Sequence, residues 1–177
     1  FFFKQKTAYE IPKRDWSSDV CSSDLTKFRL GSITKQFTAA AILLLEERGK
    51  LKIDDPVKTY LTDSPMSWDR IRVFNLLTHT SGIPNFTALA TYTEIKGTSR
   101  SAAAAVASFS GRDLDFGPGE KYSYSNSGYV VLGAIIEKVS GQSYEQFIQD
   151  NFFTPLGMRD SGYDSNTAII KRRASGY

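Results

Sequence analysis

The chain has 177 residues, of which 41% are hydrophobic and 23% are charged, and its net charge is +3. This length predicts about one domain, and the composition is typical of a globular protein. The small, evenly spread charge argues against nucleic-acid binding, and no window reaches the ~18 apolar residues that a membrane span needs. One cysteine, Cys21, cannot form an internal disulfide, and a single histidine argues against a zinc site.

Residues 1–25 lack the pattern of a helix, a strand or a secretory signal. A signal peptide needs an apolar core of ~7–15 residues, whereas here three phenylalanines are followed by polar residues. The stretches KQKTAYEI (4–11) and DWSSDVCSSDL (15–25) resemble two parts of a translated sequencing-library adapter, in one frame. We therefore expect residues 1–25 to be a non-native, disordered segment and residues 26–177 to be a partial domain. The alternative is a natural polar arm.

The remaining sequence shows mostly helical patterns. Residues 26–31 alternate polar and apolar, which predicts the end of a strand. Residues 32–48 follow the 3.6-residue period and stop at Gly49, which predicts a helix. Further helices are predicted up to Leu77, over residues 99–110, from Asn126 as the N-cap to Val139, and from Ser143 to before Pro155. The helix after Asn126 is apolar nearly all round and should be buried.

Ser32 and Lys35 form the first group of residues with catalytic potential. Three positions apart on a helix, their Cβ atoms would lie ~5–6 Å from each other on one face. A serine hydroxyl needs a base to become a nucleophile, and a lysine amine can be that base when burial or nearby positive charge keeps it neutral. The alternative is an N-cap serine with a solvated lysine.

The second group is the tripeptide Tyr124-Ser125-Asn126, which follows a turn at residues 117–119. A tyrosine beside a lysine ammonium could accept or relay a proton, and Asn126 could orient the lysine or a substrate amide. The alternative is structural, with Asn126 capping the next helix and the tyrosines packing.

Together these residues resemble the serine β-lactamase and penicillin-binding protein superfamily, in particular its branch of class C β-lactamases, D-alanyl-D-alanine carboxypeptidases and esterases. The resemblance covers residues 26–163 and rests on five blocks in order: FRLGSITK (28–35), GKLKIDDPV (49–57), LLTHTSGIP (76–84), YSNSGY (124–129) and PLGM (155–158). It implies an α+β (α/β) fold that is β-lactamase/transpeptidase-like. We expect mostly the helical subdomain, with only part of the antiparallel sheet present.

The resemblance also implies a role for each matching residue. Ser32 is the acylated nucleophile, Lys35 its activating partner, Tyr124 the proton relay and Asn126 the hydrogen-bonding partner. His79 lies in a block that is a structural turn in the family. No cofactor and no metal are implied. The implied substrate is a small molecule or peptide, namely a β-lactam, a D-Ala-D-Ala peptide or an ester, and the implied location is periplasmic, cell-envelope or secreted.

One motif of the family is missing from this sequence. The third motif, Lys-Thr-Gly or His-x-Gly on a sheet strand, supplies an oxyanion donor and substrate contacts. It is absent from this sequence, and Lys171-Arg172-Arg173 does not match it. We therefore expect a serine hydrolase truncated at both ends, and we expect the chain as written to be inactive. Two alternatives stay open: a non-catalytic module that binds cell-wall peptide, and a fragment that does not fold stably.

Overall fold

The computed structural model describes the backbone of Phe2–Phe3 and residues 26–90, 92, 101–165 and 168–174. It divides into two compact units. The smaller unit comprises Phe1–Thr34 and Gln149–Tyr177, and the larger unit comprises Lys35–Ile148.

The smaller unit contains a short antiparallel ribbon. Strand β1 (Phe2–Phe3) pairs with strand β2 (Phe28–Arg29), with Phe2 opposite Arg29. The strand predicted within residues 26–31 is therefore confirmed over β2. The interpretation of residues 1–25 as a disordered adapter segment stays a prediction, because residues 4–25 lie outside the described residues.

A backbone bridge and a set of ion pairs connect the chain around β2 to the C-terminal residues of the same unit. Lys27 forms a parallel bridge with Arg173. The carboxylate of Asp164 accepts hydrogen bonds from the guanidinium groups of Arg29 and Arg173. Since β1 and β2 form the one sheet among the described residues, the expectation of a helix-rich body with little sheet is confirmed.

The helices of the described residues can be given in chain order. They are α1 (Thr34–Glu47), α2 (Val73–Leu77), α3 (Ala102–Ser110), α4 (Asn126–Ser140) and α5 (Tyr144–Ile148). Short 3-10 turns lie at Gly31–Ile33, Val57–Thr59, Met66–Trp68 and Phe86–Ala88, and a π-helical turn lies at Gln149–Phe153. In the part of the chain that is described, none of these helices is long and apolar enough to span a membrane.

Helix α4 is the centre of the larger unit. It packs against α2, α3, α5 and the turn Phe86–Ala88. Its middle is apolar, and Val131, Leu132, Ile135 and Ile136 are each 0% exposed. Full burial of a side chain of this size contributes ~1.5–3 kcal/mol, so the predicted buried helix is confirmed and supplies much of the core.

The ends of the helices agree with the sequence signals except at one position. Gly49 follows α1, and Gly141 closes α4 in the left-handed conformation, with φ of 66° and 71°. The prediction that Asn126 is the N-cap of α4 is wrong. Ser125 is the N-cap, in an extended conformation, and Asn126 is the first helical residue. The Asn126 side-chain oxygen accepts from Lys35 rather than from a helix N–H, and the Asn126 backbone N–H donates to Asn85 Oδ1 at 3.1 Å.

Candidate active site

Lys35 and Asn126 lie 91 positions apart in the sequence and are joined by a hydrogen bond. The Lys35 Nζ donates to Asn126 Oδ1 at 2.8 Å, and the Tyr124 hydroxyl donates to the same oxygen at 3.3 Å. Lys35 Nζ also lies 4.8 Å from the centroid of the Tyr124 ring, which is close enough for a cation–π contact. We call Lys35, Tyr124 and Asn126 the Lys–Tyr–Asn cluster.

The amide of Asn126 is held in one orientation by a second layer of residues. Its Nδ2 donates to Asn85 Oδ1 at 3.3 Å and to Thr87 Oγ1 at 3.1 Å. The Thr87 hydroxyl donates in turn to Asn85 Oδ1, at 3.0 Å. Because both donors of the amide are directed at oxygens, its own Oδ1 must face Lys35 and Tyr124.

Tyr129 forms another wall of the cluster. Its ring centroid lies 5.5 Å from Lys35 Nζ, and its hydroxyl donates to the backbone oxygen of Leu77 at 3.1 Å. Burial, followed by the charge of Tyr124, raises the pKa of Tyr129 above its ordinary value. Tyr129 therefore keeps its proton near neutral pH and acts as a packing group.

His79 contacts the cluster from the side of the turn after α2. Its ring lies 4.6 Å from the Tyr124 ring and 5.1 Å from the Tyr129 ring, measured between centroids. Burial, and then the positive charge of Lys35, lowers the pKa of His79. The His79 Nδ1 accepts a hydrogen bond from the backbone N–H of Ser125 at 3.2 Å. That nitrogen therefore cannot donate to a carboxylate, as the histidine of a Ser-His-Asp triad does.

The turn that carries His79 is fixed by backbone contacts with residues 115–123. The backbone oxygen of His79 accepts from the N–H of Ser123 at 2.9 Å, and that of Gly82 accepts from the N–H of Asp115 at 2.8 Å. Gly82 has φ of 77°, and a Cβ there would lie 2.0 Å from the backbone oxygen of Phe116. Only glycine fits this position, so the glycine in the block LLTHTSGIP has a structural explanation.

Ser32 belongs to the smaller unit. It lies in the 3-10 turn Gly31–Ile33, directly before α1, and it is exposed. The backbone N–H of Thr34 donates to the carbonyl oxygens of Gly31 and Ser32. Helical backbone at both Ser32 and Lys35 agrees with the predicted helix. The structure therefore brings Lys35, Tyr124 and Asn126 together, while the catalytic roles of these residues and of Ser32 stay a prediction.

The sequence interpretation did not include several neighbours of the cluster. Tyr129 could have been found, because a residue three positions after Asn126 lies on the same face of a helix. Asn85 and Thr87 had no such signal, since they lie about 40 positions away, at separations of 41 and 39 residues from Asn126. The resemblance predicts a turn at His79, and the contact of its ring with Tyr124 depends on tertiary packing.

A cavity of about 530 Å³ lies elsewhere in the larger unit. It is lined by residues 60–64, by α3 and by Ala134, Glu137 and Lys138 of α4. No member of the Lys–Tyr–Asn cluster lines this cavity, so we assign it no part in the chemistry.

Comparison with known proteins identifies the class. Residues 18–177 match the family model Beta-lactamase. A penicillin-binding protein of Bacillus subtilis (strain 168) is 39% identical over 150 residues, which is 84% of this chain and 32% of that protein. The chain belongs to the β-lactamase family, and it spans about a third of the length of the curated relatives it matches.

Solved structures agree with this family. The penicillin-binding protein of Bacillus halodurans matches 86% of this chain and 47% of its own, with a TM-score of 0.77 and 33% identity. The D-amino acid amidase of Ochrobactrum anthropi SV3 matches 85% of this chain and 45% of its own, with a TM-score of 0.72 and 33% identity. The fold is therefore β-lactamase/transpeptidase-like, and the small amount of sheet is consistent with part of a domain, as predicted.

Proposed function

We propose that the protein containing this chain is a serine hydrolase that cleaves amide or ester bonds through an acyl-enzyme formed on Ser32. The observation that carries this proposal is the convergence of Lys35 Nζ and the Tyr124 hydroxyl on one oxygen of Asn126, at 2.8 and 3.3 Å. An amine and a phenol held side by side can accept and return a proton, as both halves of an acyl transfer require.

The reaction would begin with attack of Ser32 Oγ on the substrate carbonyl carbon. The hydroxyl proton passes to the Lys35 amine, with Tyr124 as the relay. The carbonyl oxygen takes up negative charge, which the backbone N–H groups of a first helical turn stabilise. The bond to the leaving group then breaks, and the relayed proton goes to the departing nitrogen or oxygen. The acyl group remains on Ser32 as an ester.

Water completes the cycle. It attacks the ester carbon while the Lys–Tyr–Asn cluster takes its proton, the acid product leaves, and Ser32 recovers its hydrogen. Asn126 keeps its place throughout because its amide is also bonded to Asn85 and Thr87. No metal or cofactor takes part in this sequence of steps.

The substrates that fit the family are small molecules or peptides with an acyl group to transfer. We propose a β-lactam, a D-Ala-D-Ala peptide, a D-amino acid amide or an ester. The penicillin-binding proteins among the relatives and the D-amino acid amidase among the structural neighbours support an amide bond as the target. A periplasmic, cell-envelope or secreted location follows as part of the same proposal.

We further propose that residues 1–177 alone have no activity. The family's third motif is absent from this sequence, and the chain spans about a third of its curated relatives. The complete protein would supply the second oxyanion donor. A non-catalytic module that binds cell-wall peptide is the competing function.

Covalent labelling of the complete protein tests the proposal. We expect fluorescent penicillin or a fluorophosphonate probe to label the wild type, and we expect no labelling of Ser32→Ala. Ser67→Ala is the matched control, because Ser67 is an exposed serine in the turn Met66–Trp68 and should label normally. Labelling that survives Ser32→Ala contradicts the proposal. Reversible binding without labelling favours the peptide-binding module.

A further inference from the structure

His79 contacts residues 122–125, the part of the loop that carries the predicted proton relay. Its ring lies against Tyr124 at 4.6 Å with a 35° tilt, and against Tyr129 at 5.1 Å with a 33° tilt. Tyr122 meets the ring edge-on, at 5.9 Å. We call Tyr122, Tyr124 and Tyr129 the tyrosine cage. The direct packing of the His79 ring against Tyr124 limits how far the Tyr124 ring can tilt.

Two hydrogen bonds also connect His79 to this loop. Its Nδ1 accepts from the N–H of Ser125 at 3.2 Å, and its carbonyl oxygen accepts from the N–H of Ser123 at 2.9 Å. These two bonds lie on either side of Tyr124 in the chain. His79 itself has φ of 58°, a left-handed conformation that histidine adopts more readily than most residues.

We propose that neutral His79 is a positioning residue for acylation, which holds the Tyr124 hydroxyl in place toward Asn126 Oδ1 through the tyrosine cage and the Ser125 N–H. This inference rests on the proposed function. It assigns His79 no contact with substrate. Its effect passes through Tyr124, whose hydroxyl lies 3.3 Å from Asn126 Oδ1.

Protonation of His79 would disrupt this arrangement. A protonated Nδ1 can no longer accept from the Ser125 N–H. The groups that face the ring are Lys35 of α1, Tyr122 and Tyr124 of the loop, and Tyr129 of α4. None of these groups is a carboxylate, so nothing among them compensates a positive charge on the His79 ring. The acylation rate should therefore fall as the pH drops through the acid range.

Three variants of the complete protein test the proposal, with the rate of labelling by fluorescent penicillin as the measurement. His79→Ala removes the ring and the acceptor, and we expect an acylation rate about 10²-fold lower with a nearly unchanged KM. His79→Asn tolerates the left-handed backbone and offers Oδ1 near the position of Nδ1, so it should recover about tenfold of that loss. Tyr163→Leu is the matched control, because Tyr163 is a 44% exposed tyrosine outside the tyrosine cage and its substitution should leave the acylation rate unchanged.

The pH profile and the tautomer of His79 add readouts that a general loss of packing would not produce. We expect the acid limb of the wild-type profile to be absent from His79→Asn. In the nitrogen NMR spectrum of the wild type, assigned by its loss in His79→Asn, Nδ1 should be the unprotonated nitrogen at neutral pH. An Nδ1–H tautomer, or His79→Ala with the wild-type rate and pH profile, overturns the proposal. A wild type that is never labelled would overturn the proposed function as well.

Discussion

The first turn of α4 and the middle of the same helix are buried for different reasons. In the first turn, Asn126 and Ser127 are polar, and each is hydrogen-bonded to the segment of residues 84–87. In the middle, Val131 to Ile136 form an apolar stretch without side-chain polar groups. Apolar burial is non-directional, whereas each buried polar atom needs a particular partner in a particular place.

The two parts of α4 therefore have different roles. The apolar middle fixes α4 against α2, α3 and α5. The polar first turn uses that fixed position to direct Asn126 Oδ1 at Lys35 and Tyr124. Substitutions in the middle should therefore reduce stability and leave the chemistry intact. Substitutions of the groups that contact Asn126 Oδ1 should lower the acylation rate with little loss of stability, and the predictions below test this contrast.

The largest effect is expected when Lys35 loses its amine. Lys35→Met keeps the length of the side chain but removes the donor to Asn126 Oδ1 and the proposed proton acceptor. We expect the acylation rate of the complete protein to fall about 10²–10⁴-fold, the usual contribution of a positioned acid or base. Time-resolved labelling by fluorescent penicillin measures this rate.

The control for this prediction is Lys50→Met, which changes an exposed lysine after the end of α1. Its acylation rate should equal that of the wild type. The thermal midpoint of Lys35→Met should also stay close to the wild-type value. If Lys35→Met unfolds the protein while Lys50→Met does not, then Lys35 belongs with the structural residues and the contrast fails.

The next largest effect is a loss of stability from the middle of α4. Ile135 is 0% exposed, so Ile135→Ala leaves a cavity in the core. We expect the free energy of unfolding of the 177-residue chain to fall by about 2–5 kcal/mol, measured by urea unfolding. Leu43→Ala is the matched control, since Leu43 is 51% exposed and its substitution should cost far less.

A smaller loss is expected from the buried hydroxyl in the first turn. Ser127 is 0% exposed, and its Oγ donates to the Pro84 oxygen at 2.6 Å and accepts from the Phe86 N–H at 2.9 Å. Ser127→Ala leaves both backbone groups without this partner, which should cost about 1–3 kcal/mol. Ser140→Ala, at the other end of α4, is the control. If the two variants lose the same free energy of unfolding, then the hydrogen bonds of Ser127 contribute no particular stability to the first turn.

The sequence predicted the helices of this molecule better than it predicted the neighbours of the Lys–Tyr–Asn cluster. Helical periodicity and a terminal glycine were enough for α1 and for most of α4, because those signals act within one helix. Lys35, Tyr124 and Asn126 were identified through motifs. The support from Asn85 and Thr87 was not identified, because tertiary packing alone brings residues about 40 positions apart together. Tertiary packing also explains why Asn126 is not an N-cap, since its Oδ1, the atom that would cap the helix, accepts from Lys35 and Tyr124.

The smallest expected effect is a change in the pH dependence of stability. It arises from His79, which is hydrogen-bonded to the N-cap of α4, and not from the apolar middle of the helix. Burial and the charge of Lys35 lower the pKa of His79 in the folded chain below its ordinary value of 6.5. The unfolded chain therefore binds more protons just below pH 6.5, and the free energy of unfolding should decrease as the pH falls through this range. In His79→Asn this decrease should be absent, whereas Ile135→Val, which changes only the apolar middle, should lose some stability and keep the wild-type pH dependence. Urea unfolding of the chain at a series of pH values measures both. If the pH dependence persists in His79→Asn, another group causes it. The pH dependence would then give no evidence of a difference between the start of α4 and its apolar middle.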